Sequence, residues 1–297
     1  MKIVCVSSGL ANQMFMYAYS RYLVSKGENV YIALQARKPF EEFAFEKITI
    51  RDVFPNVKIR EMRPWMRPLV QLFFKNGYSA QRLRRILSLF GIRYYHAKNF
   101  SYEPWMMEPQ KSWCGIYRGL WQSENYFKEC ANDVRKQFAF PEFTEDKNIA
   151  IAAKMAKENS VAIHLRKGVD YMRSESFGKN LCEVGYYLRA INYIKKHVHN
   201  PVFYVFTDNP QWVKENLPSF DYSLVDWNEV AGKTQFRDMQ LMSCCKHNII
   251  ANSTYSWWGA WLNSNPDKIV IAPNKWCNPV EEKLIENCVV PDKWIRL

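Results

Sequence analysis

The second half of the chain alternates short apolar runs with helical stretches, and that alternation limits the folds open to it. Residues 161–165, 202–207, 223–226, 248–251 and 268–272 read as strands, and 184–197, 211–216, 234–245 and 255–263 read as helices between or beside them. Strands separated by helices have no tight hairpins and pair in parallel. The expectation is an α/β, doubly wound, Rossmann-like sheet. The N-terminus follows the same grammar once. Residues 2–7 are β-prone and end at Gly9; 11–26 read as a helix with Phe15, Tyr19, Tyr22 and Leu23 on one face. Gly27 stops that helix, and 29–34 read as a second strand. A chain of 297 residues has room for two such domains. They are placed at 1–150 and 151–297, facing a cleft, with 102–141 irregular and a linker at 141–148.

Composition adds a charge to explain. Lys and Arg exceed Asp and Glu by 12, which points to an anionic partner: nucleic acid, a membrane surface or a phosphorylated small molecule. Most of the excess is local. Residues 58–98 hold ten basic residues and one acid, Glu61, interleaved with Trp65, Met66, Leu69, Leu72, Phe73, Phe74, Leu83, Ile86, Leu87, Leu89 and Phe90. The stretch 57–98 therefore reads as a basic amphipathic insertion. Two readings stay open for it: a surface for peripheral contact with an anionic membrane, or a helical insertion with a solvated basic face. Charge concentrated in one place, without an RNA-binding aromatic motif, argues against nucleic acid as partner. No window approaches the roughly 18 apolar residues of a membrane span, and the opening run is too short for a signal-peptide core. The expected location is cytoplasmic, and on the first of the two readings of 57–98 peripheral on the inner face of the membrane. The eight cysteines include no Cys-x-x-Cys and read as free, mostly buried thiols.

In open α/β sheets ligands sit beyond the carboxyl ends of the strands, so polar residues there are the candidates. The first such end is Val161-Ala162-Ile163-His164-Leu165-Arg166-Lys167-Gly168-Val169-Asp170-Tyr171. His164 and Arg166 share a strand face. Arg166 offers a planar fork suited to a diphosphate, with His164 as a donor beside it; an edge Arg paired with Asp170 is the competing reading. The second end closes on Asp208, where capping of the next helix is favoured over ligand contact. The third runs Asn252-Ser253-Thr254-Tyr255-Ser256 into a helix. Its free N–H groups and dipole favour phosphate, Ser253 and Ser256 add hydroxyls, and Gly259 permits close packing. The competing reading makes Ser253 an ordinary N-cap, with Trp257 and Trp261 packed in a core. There is no Asp-x-Asp, no Gly-x-x-x-x-Gly-Lys-Ser/Thr loop, no Gly-x-Gly-x-x-Gly, no His-Glu-x-x-His and no Gly-x-Ser-x-Gly. Arg166 and a helix N-terminus can neutralise a diphosphate without a metal, so no metal or other cofactor is expected.

Three motifs carry a resemblance. Gly9-Leu10-Ala11-Asn12-Gln13-Met14-Phe15-Met16-Tyr17-Ala18 resembles the opening of the bacterial α-1,2-fucosyltransferases, glycosyltransferase family 11, with Ala11 where Gly is usual. The stretch from His164 to Tyr171 resembles that family's His-x-Arg-Arg-x-Asp-Tyr motif. One extra residue before Asp170 makes the spacing similar to that of the protein O-fucosyltransferases. Asp238-Met239-Gln240-Leu241-Met242-Ser243, with Lys246-His247-Asn248 and the run to Trp261, resembles the third motif. The resemblance implies a GT-B-like fold of two Rossmann-like domains, the first on the acceptor side and the second binding the GDP-sugar. It implies inverting, metal-independent transfer of L-fucose from GDP-β-L-fucose to the 2-hydroxyl of galactose in a glycan acceptor, for which a lipid-linked form is envisaged. His164 and Arg166 are implied to hold the β-phosphate; Asn252, Ser253, Ser256 and nearby N–H groups the rest of the diphosphate; and Asp208 or Asp238 the nucleoside side. Asn12, with Gln13 beside it, is implied to reach the fucosyl group or acceptor, and Glu175 or Asp170 to supply the base. The rival readings are another GDP-sugar or fucosyl linkage, a nucleic-acid-binding protein, and a catalytically dead sugar-binding protein.

Overall fold

Strand β1 (Lys2–Val6) is buried at all five positions, as a strand covered on both faces must be. The computed structural model describes residues 1–34, 48–74, 78–97, 102–168, 181–218, 220–277 and 289–297. They form two units, which divide between Ala139 and Phe140.

In the first unit β1 leads into α1 (Leu10–Ser25) and then β2 (Val30–Leu34). The turn into α1 uses Ser8 at φ 77°, a left-handed conformation uncommon for a residue with a Cβ. Helix α1 buries Met14, Phe15, Met16, Tyr17, Ala18 and Tyr19 in succession, so it is covered nearly all round rather than along one stripe. Its tyrosine hydroxyls find partners: Tyr17 donates to Gln137 Oε1 (2.8 Å), Tyr19 to the Met106 carbonyl (2.8 Å) and Tyr22 to the Met107 carbonyl (2.8 Å).

The stretch expected to be an insertion belongs to the sheet itself. It contains α2 (Arg67–Phe74), α3 (Tyr78–Leu89) and β3 (Ile92–His96). The supposedly irregular region holds β4 (Cys114–Arg118) and α4 (Ala131–Gln137). The sheet order is β2-β1-β4-β3, all parallel. The basic stretch crosses this sheet from edge to edge. At one edge the Met62 N–H donates to the Ile32 carbonyl (2.9 Å), and the Ile32 N–H to the Arg60 carbonyl (2.9 Å). Met66, Val70 and Phe73 then cover a sheet face against Ile3, Cys5, Tyr31 and Ile116, and β3 closes the far edge.

The second unit runs α5 (Asp146–Lys157), β5 (Asn159–Leu165), α6 (Val184–His197), β6 (Pro201–Thr207), α7 (Pro210–Asn216) and β7 (Tyr222–Val225). It continues with α8 (Arg237–Cys244), β8 (His247–Ile249), α9 (Thr254–Leu262), β9 (Val270–Ala272) and β10 (Ile295–Arg296). The parallel sheet has the order β10-β9-β8-β5-β6-β7. Residue 150 falls inside α5, a continuous helix of this unit, so the boundary lies ahead of the expected one. The expected linker is held by a buried arginine. Arg237 donates to Glu145 Oε1 (3.1 Å), the Glu142 carbonyl (3.2 Å) and Thr144 Oγ1 (3.0 Å). The seven described cysteines are free thiols, and all but Cys244 are buried. No helix among the described residues is long and apolar enough to cross a membrane.

Candidate active site

The second sheet reverses direction beside β5. From β5 the chain builds β6 and β7 outward on one side, then returns to lay β8, β9 and β10 on the other. The crevice past the carboxyl ends of β5 and β8 is therefore the topological switch point, where open parallel sheets take their ligands. His164 and Arg166 stand at the first of these ends, and residues 252–256 follow the second. The His164 ring lies 5.8 Å from that of Tyr255, in the first turn of α9, so the two ends meet.

His164 is buried, and its Nδ1 has no hydrogen-bond partner among the described residues. Burial, with the Arg166 charge adding to it, pushes its pKa down to about 3, so the imidazole is neutral at ordinary pH. Only one of its nitrogens can then donate. Lys167 follows on the opposite face of the strand. Its buried ammonium donates to the Cys182 carbonyl (2.9 Å) and lies 4.6 Å from the Trp212 ring centroid; burial lowers its pKa. The sequence signal for Lys167 is its position two residues after Leu165, in the inward-facing phase of the strand. The bond links the two sides of the stretch 169–180. Asp170 and Glu175 lie in that stretch, outside the described residues.

Asp208 does not cap α7. Its Oδ1 accepts the Lys167 N–H (2.6 Å), while Asn209 caps the helix by accepting the Trp212 N–H (3.0 Å) and donates from Nδ2 to the Lys167 carbonyl (3.1 Å). The end of β6 thus fixes the peptide after Arg166, and Asp208 positions the strand end.

Beyond β8 the polar groups divide. Ser253 is the N-cap residue of α9 and makes no side-chain capping bond. Ser256 is fully buried and turns back, donating to the carbonyls of Ser253 (3.2 Å) and Ala251 (3.4 Å), which removes it from the set of phosphate donors. The Asn252 amide is also engaged inward: Oδ1 accepts from Cys182 Sγ (3.4 Å) and Nδ2 donates to the Trp276 carbonyl (3.2 Å). Trp257 and Trp261 are core, with stacked rings 6.1 Å apart. Gly259 lets α8 approach α9; a Cβ there would stand 3.0 Å from Met242 Cβ and 3.4 Å from the Met239 carbonyl.

Asp238 lies in the first turn of α8. Tyr255 joins this turn to α9 by accepting the Met239 N–H (2.9 Å) and donating to the Gln235 carbonyl (2.7 Å). Burial raises the Asp238 pKa to about 6, against the opposing donor bond from Asn228 Nδ2 (2.7 Å). An acid held near neutrality at a sheet's ligand-bearing end is a functional candidate. Among the described residues no group of three or more His, Cys, Asp or Glu is placed to hold a metal ion.

In the first unit Asn12 opens α1. Its Nδ2 donates to Ser8 Oγ (3.3 Å), and its Oδ1 accepts from Gln122 Nε2 (2.9 Å). Gln13 is fully buried; it donates to the Ser8 and Ile48 carbonyls (2.9 and 3.1 Å) and accepts the Ile50 N–H (3.2 Å). This amide clamps the strand–helix turn and is closed to an acceptor, contrary to expectation. A cavity of about 380 Å³ lies at the carboxyl ends of these strands, lined by Ser7, Ser8, Met16, His96, Arg118 and Leu120 among others. His96 and Arg118 were missed because β3 and β4 were missed; polar residues ending short strands are the signal.

The sequence profile of glycosyl transferase family 11 matches residues 3–297. The chain belongs to glycosyltransferase family 11. Within the family it is 32% identical to an α-1,2-colitosyltransferase of Escherichia coli, over 98% of this chain and 97% of that protein. It is 30% identical to the O-antigen biosynthesis glycosyltransferase WbnK of Escherichia coli, over 92% and 93%. In structure it resembles Arabidopsis thaliana FUT1, solved as a mutant in complex with GDP, with a TM-score of 0.50 and 12% identity over 95% of this chain and 73% of that one. The family 11 chain has the α/β fold of the GT-B glycosyltransferases, with a parallel sheet in each unit.

Proposed function

We propose that this family 11 enzyme transfers L-fucose from GDP-β-L-fucose to the 2-hydroxyl of a galactose residue, with inversion and without a metal. The observation that carries the reading is the contact of His164 with Tyr255 at the switch point of the second sheet, which brings the strand end bearing Arg166 to the first turn of α9, in a chain whose whole length fits the family. Transfer places negative charge on the departing GDP. A preorganised guanidinium fork and free helix N–H groups stabilise that charge where it develops. Neutral His164 donates one hydrogen bond beside them and adds no charge of its own. Asp208 and Lys167 act one step back, fixing the peptide from which Arg166 projects. Asp238 takes a donor group on the nucleoside side. Asp170 or Glu175 serves as the base that removes the acceptor's proton. The acceptor sugar enters at the carboxyl ends of the first sheet, by Asn12 and the cavity bearing His96 and Arg118.

A second donor is favoured by one observation, the resemblance to an α-1,2-colitosyltransferase. Colitose is fucose without its 3-hydroxyl, so the same diphosphate clamp serves either sugar. The relative named for O-antigen biosynthesis favours a surface polysaccharide as the acceptor class. The test is incubation with GDP-fucose or GDP-colitose and a panel of β-galactosides, with the product linkage read by NMR. An α-1,2 product is expected from one of the two donors. Absence of transfer from both, or a different linkage, overturns the assignment.

A further inference from the structure

None of the described side chains of α3 is buried, which is unusual for a twelve-residue helix lying against a sheet. Leu87 is partly covered by the first unit's core, and the Arg84 guanidinium sits 5.7 Å from the Tyr94 ring centroid on β3. That side faces the sheet. At helical spacing, Arg82, Arg85, Ile86 and Leu89 fall on the other side. Leu89 is 84% exposed and Phe90, in the turn that follows, 74%. Gly91, at φ 75°, reverses the chain there, and a Cβ on it would stand 3.2 Å from Trp113 Cβ. Trp113, 68% exposed, therefore flanks the same turn. The surroundings are cationic: Arg82 and Arg85 are exposed on the same side of α3, Lys111 is exposed two residues before Trp113, and no acid occurs between Glu61 and Glu103.

A cluster of large apolar side chains open to water marks an interaction surface, because monomeric proteins keep such patches small. The charge selects the partner. A second copy would bring two cationic rims together. The combination of apolar tips with arginines at the same level fits the boundary of a lipid headgroup layer, where the tips enter the acyl edge and the guanidiniums meet phosphate. We propose that the outer face of α3, with Phe90 and Trp113, docks on an anionic lipid surface. The fold narrows what the sequence suggested. Phe73 is core, and the residues near Arg60 lie at the opposite sheet edge, so they take no part.

The test is cosedimentation with vesicles of phosphatidylcholine alone and of phosphatidylcholine mixed with phosphatidylglycerol. The protein should pellet with the mixed vesicles at low salt, stay in solution with the neutral ones, and release as salt rises. Each basic residue near the surface is worth about fivefold in partitioning, so the combined Arg82→Glu, Arg85→Glu and Lys111→Glu variant should lose about a hundredfold or more. Tryptophan quenching by lipid brominated near the headgroup should fall in Trp113→Phe. All four positions are exposed, and unchanged urea midpoints will confirm folding. Failure of the wild type to bind mixed vesicles, undiminished binding by the triple variant, or a lipid-free dimer that Leu89→Asp dissolves would each overturn the proposal.

Discussion

Replacing Asp238 by Asn removes a carboxylate that the fold holds against its solvation preference. Burial raises its pKa from 3.8 to about 6, a shift of about two pH units. At 1.36 kcal/mol per unit, ionising it in the folded protein costs up to about 3 kcal/mol. The residue is half-buried, so water screens part of this and the figure is a ceiling. Asn retains an acceptor oxygen for Asn228, whose bond now measures 2.7 Å. It loses the favourable interaction of a first-turn acid with the helix dipole, about 0.5 kcal/mol. The net expectation is a gain of about 2 kcal/mol for Asp238→Asn at about pH 8. For a carboxyl raised on folding, the penalty is absent below the unfolded value of 3.8 and complete above about 6. The gap between variant and wild type should therefore grow across that window and nearly vanish by about pH 4. Urea midpoints at intervals across this range measure it. A gap independent of pH, or a less stable variant at about pH 8, would refute the reasoning. The same variant should raise the KM for the GDP-sugar, since a carboxylate retained at this cost is expected to bind something.

Transfer activity should survive exhaustive chelation; loss with EDTA, restored by magnesium or manganese, would mean the diphosphate is held differently. Gln13→Ala should destabilise the chain by about 2–4 kcal/mol, by leaving the buried Ile50 N–H and two carbonyls unpaired, as a urea midpoint will show. Gly259→Ala should cost about 1–3 kcal/mol, because the new methyl meets Met242 Cβ and the Met239 carbonyl at the α8–α9 contact. A thermal melt within error of wild type would show that these helices separate freely.

The second sheet was legible because β5 and β6 are seven-residue apolar strands and the helices between its strands set the rhythm, although the two-residue β10 was not read. The run from Asn159 to Leu165 and its neighbours match the expected spans to within a few residues. Strands β3 and β4 were not, for two reasons. Ile92–His96 is an edge strand with one buried residue and sits within a basic stretch, and Cys114–Arg118 includes Gly115 and is flanked by irregular chain rather than by helices. Neither displays a period that separates strand from coil. At the site, the motifs marked the right strand ends but not the direction of each side chain. Ser256, Asn252 and Gln13 belong to the motif stretches yet face inward, holding the turns that place their neighbours. Asp208 was expected to cap the following helix or to reach the nucleoside side of the donor; Asn209 caps the helix instead, and the Lys167 N–H that Asp208 accepts is a partner 41 positions away that local sequence cannot supply.

The account turns on Arg166 as the group that meets the charge on departing GDP. Turnover of GDP-fucose, or of GDP-colitose if that is the donor used, with a β-galactoside acceptor should be compared in wild type, Arg166→Ala and Arg166→Lys. Each variant should match the wild type in urea midpoint. Removing a preorganised donor of this kind costs on the order of a hundredfold or more in rate, and Lys does not restore the planar fork. The account predicts nearly inactive, folded Ala and Lys variants; near-wild-type turnover in either would contradict it.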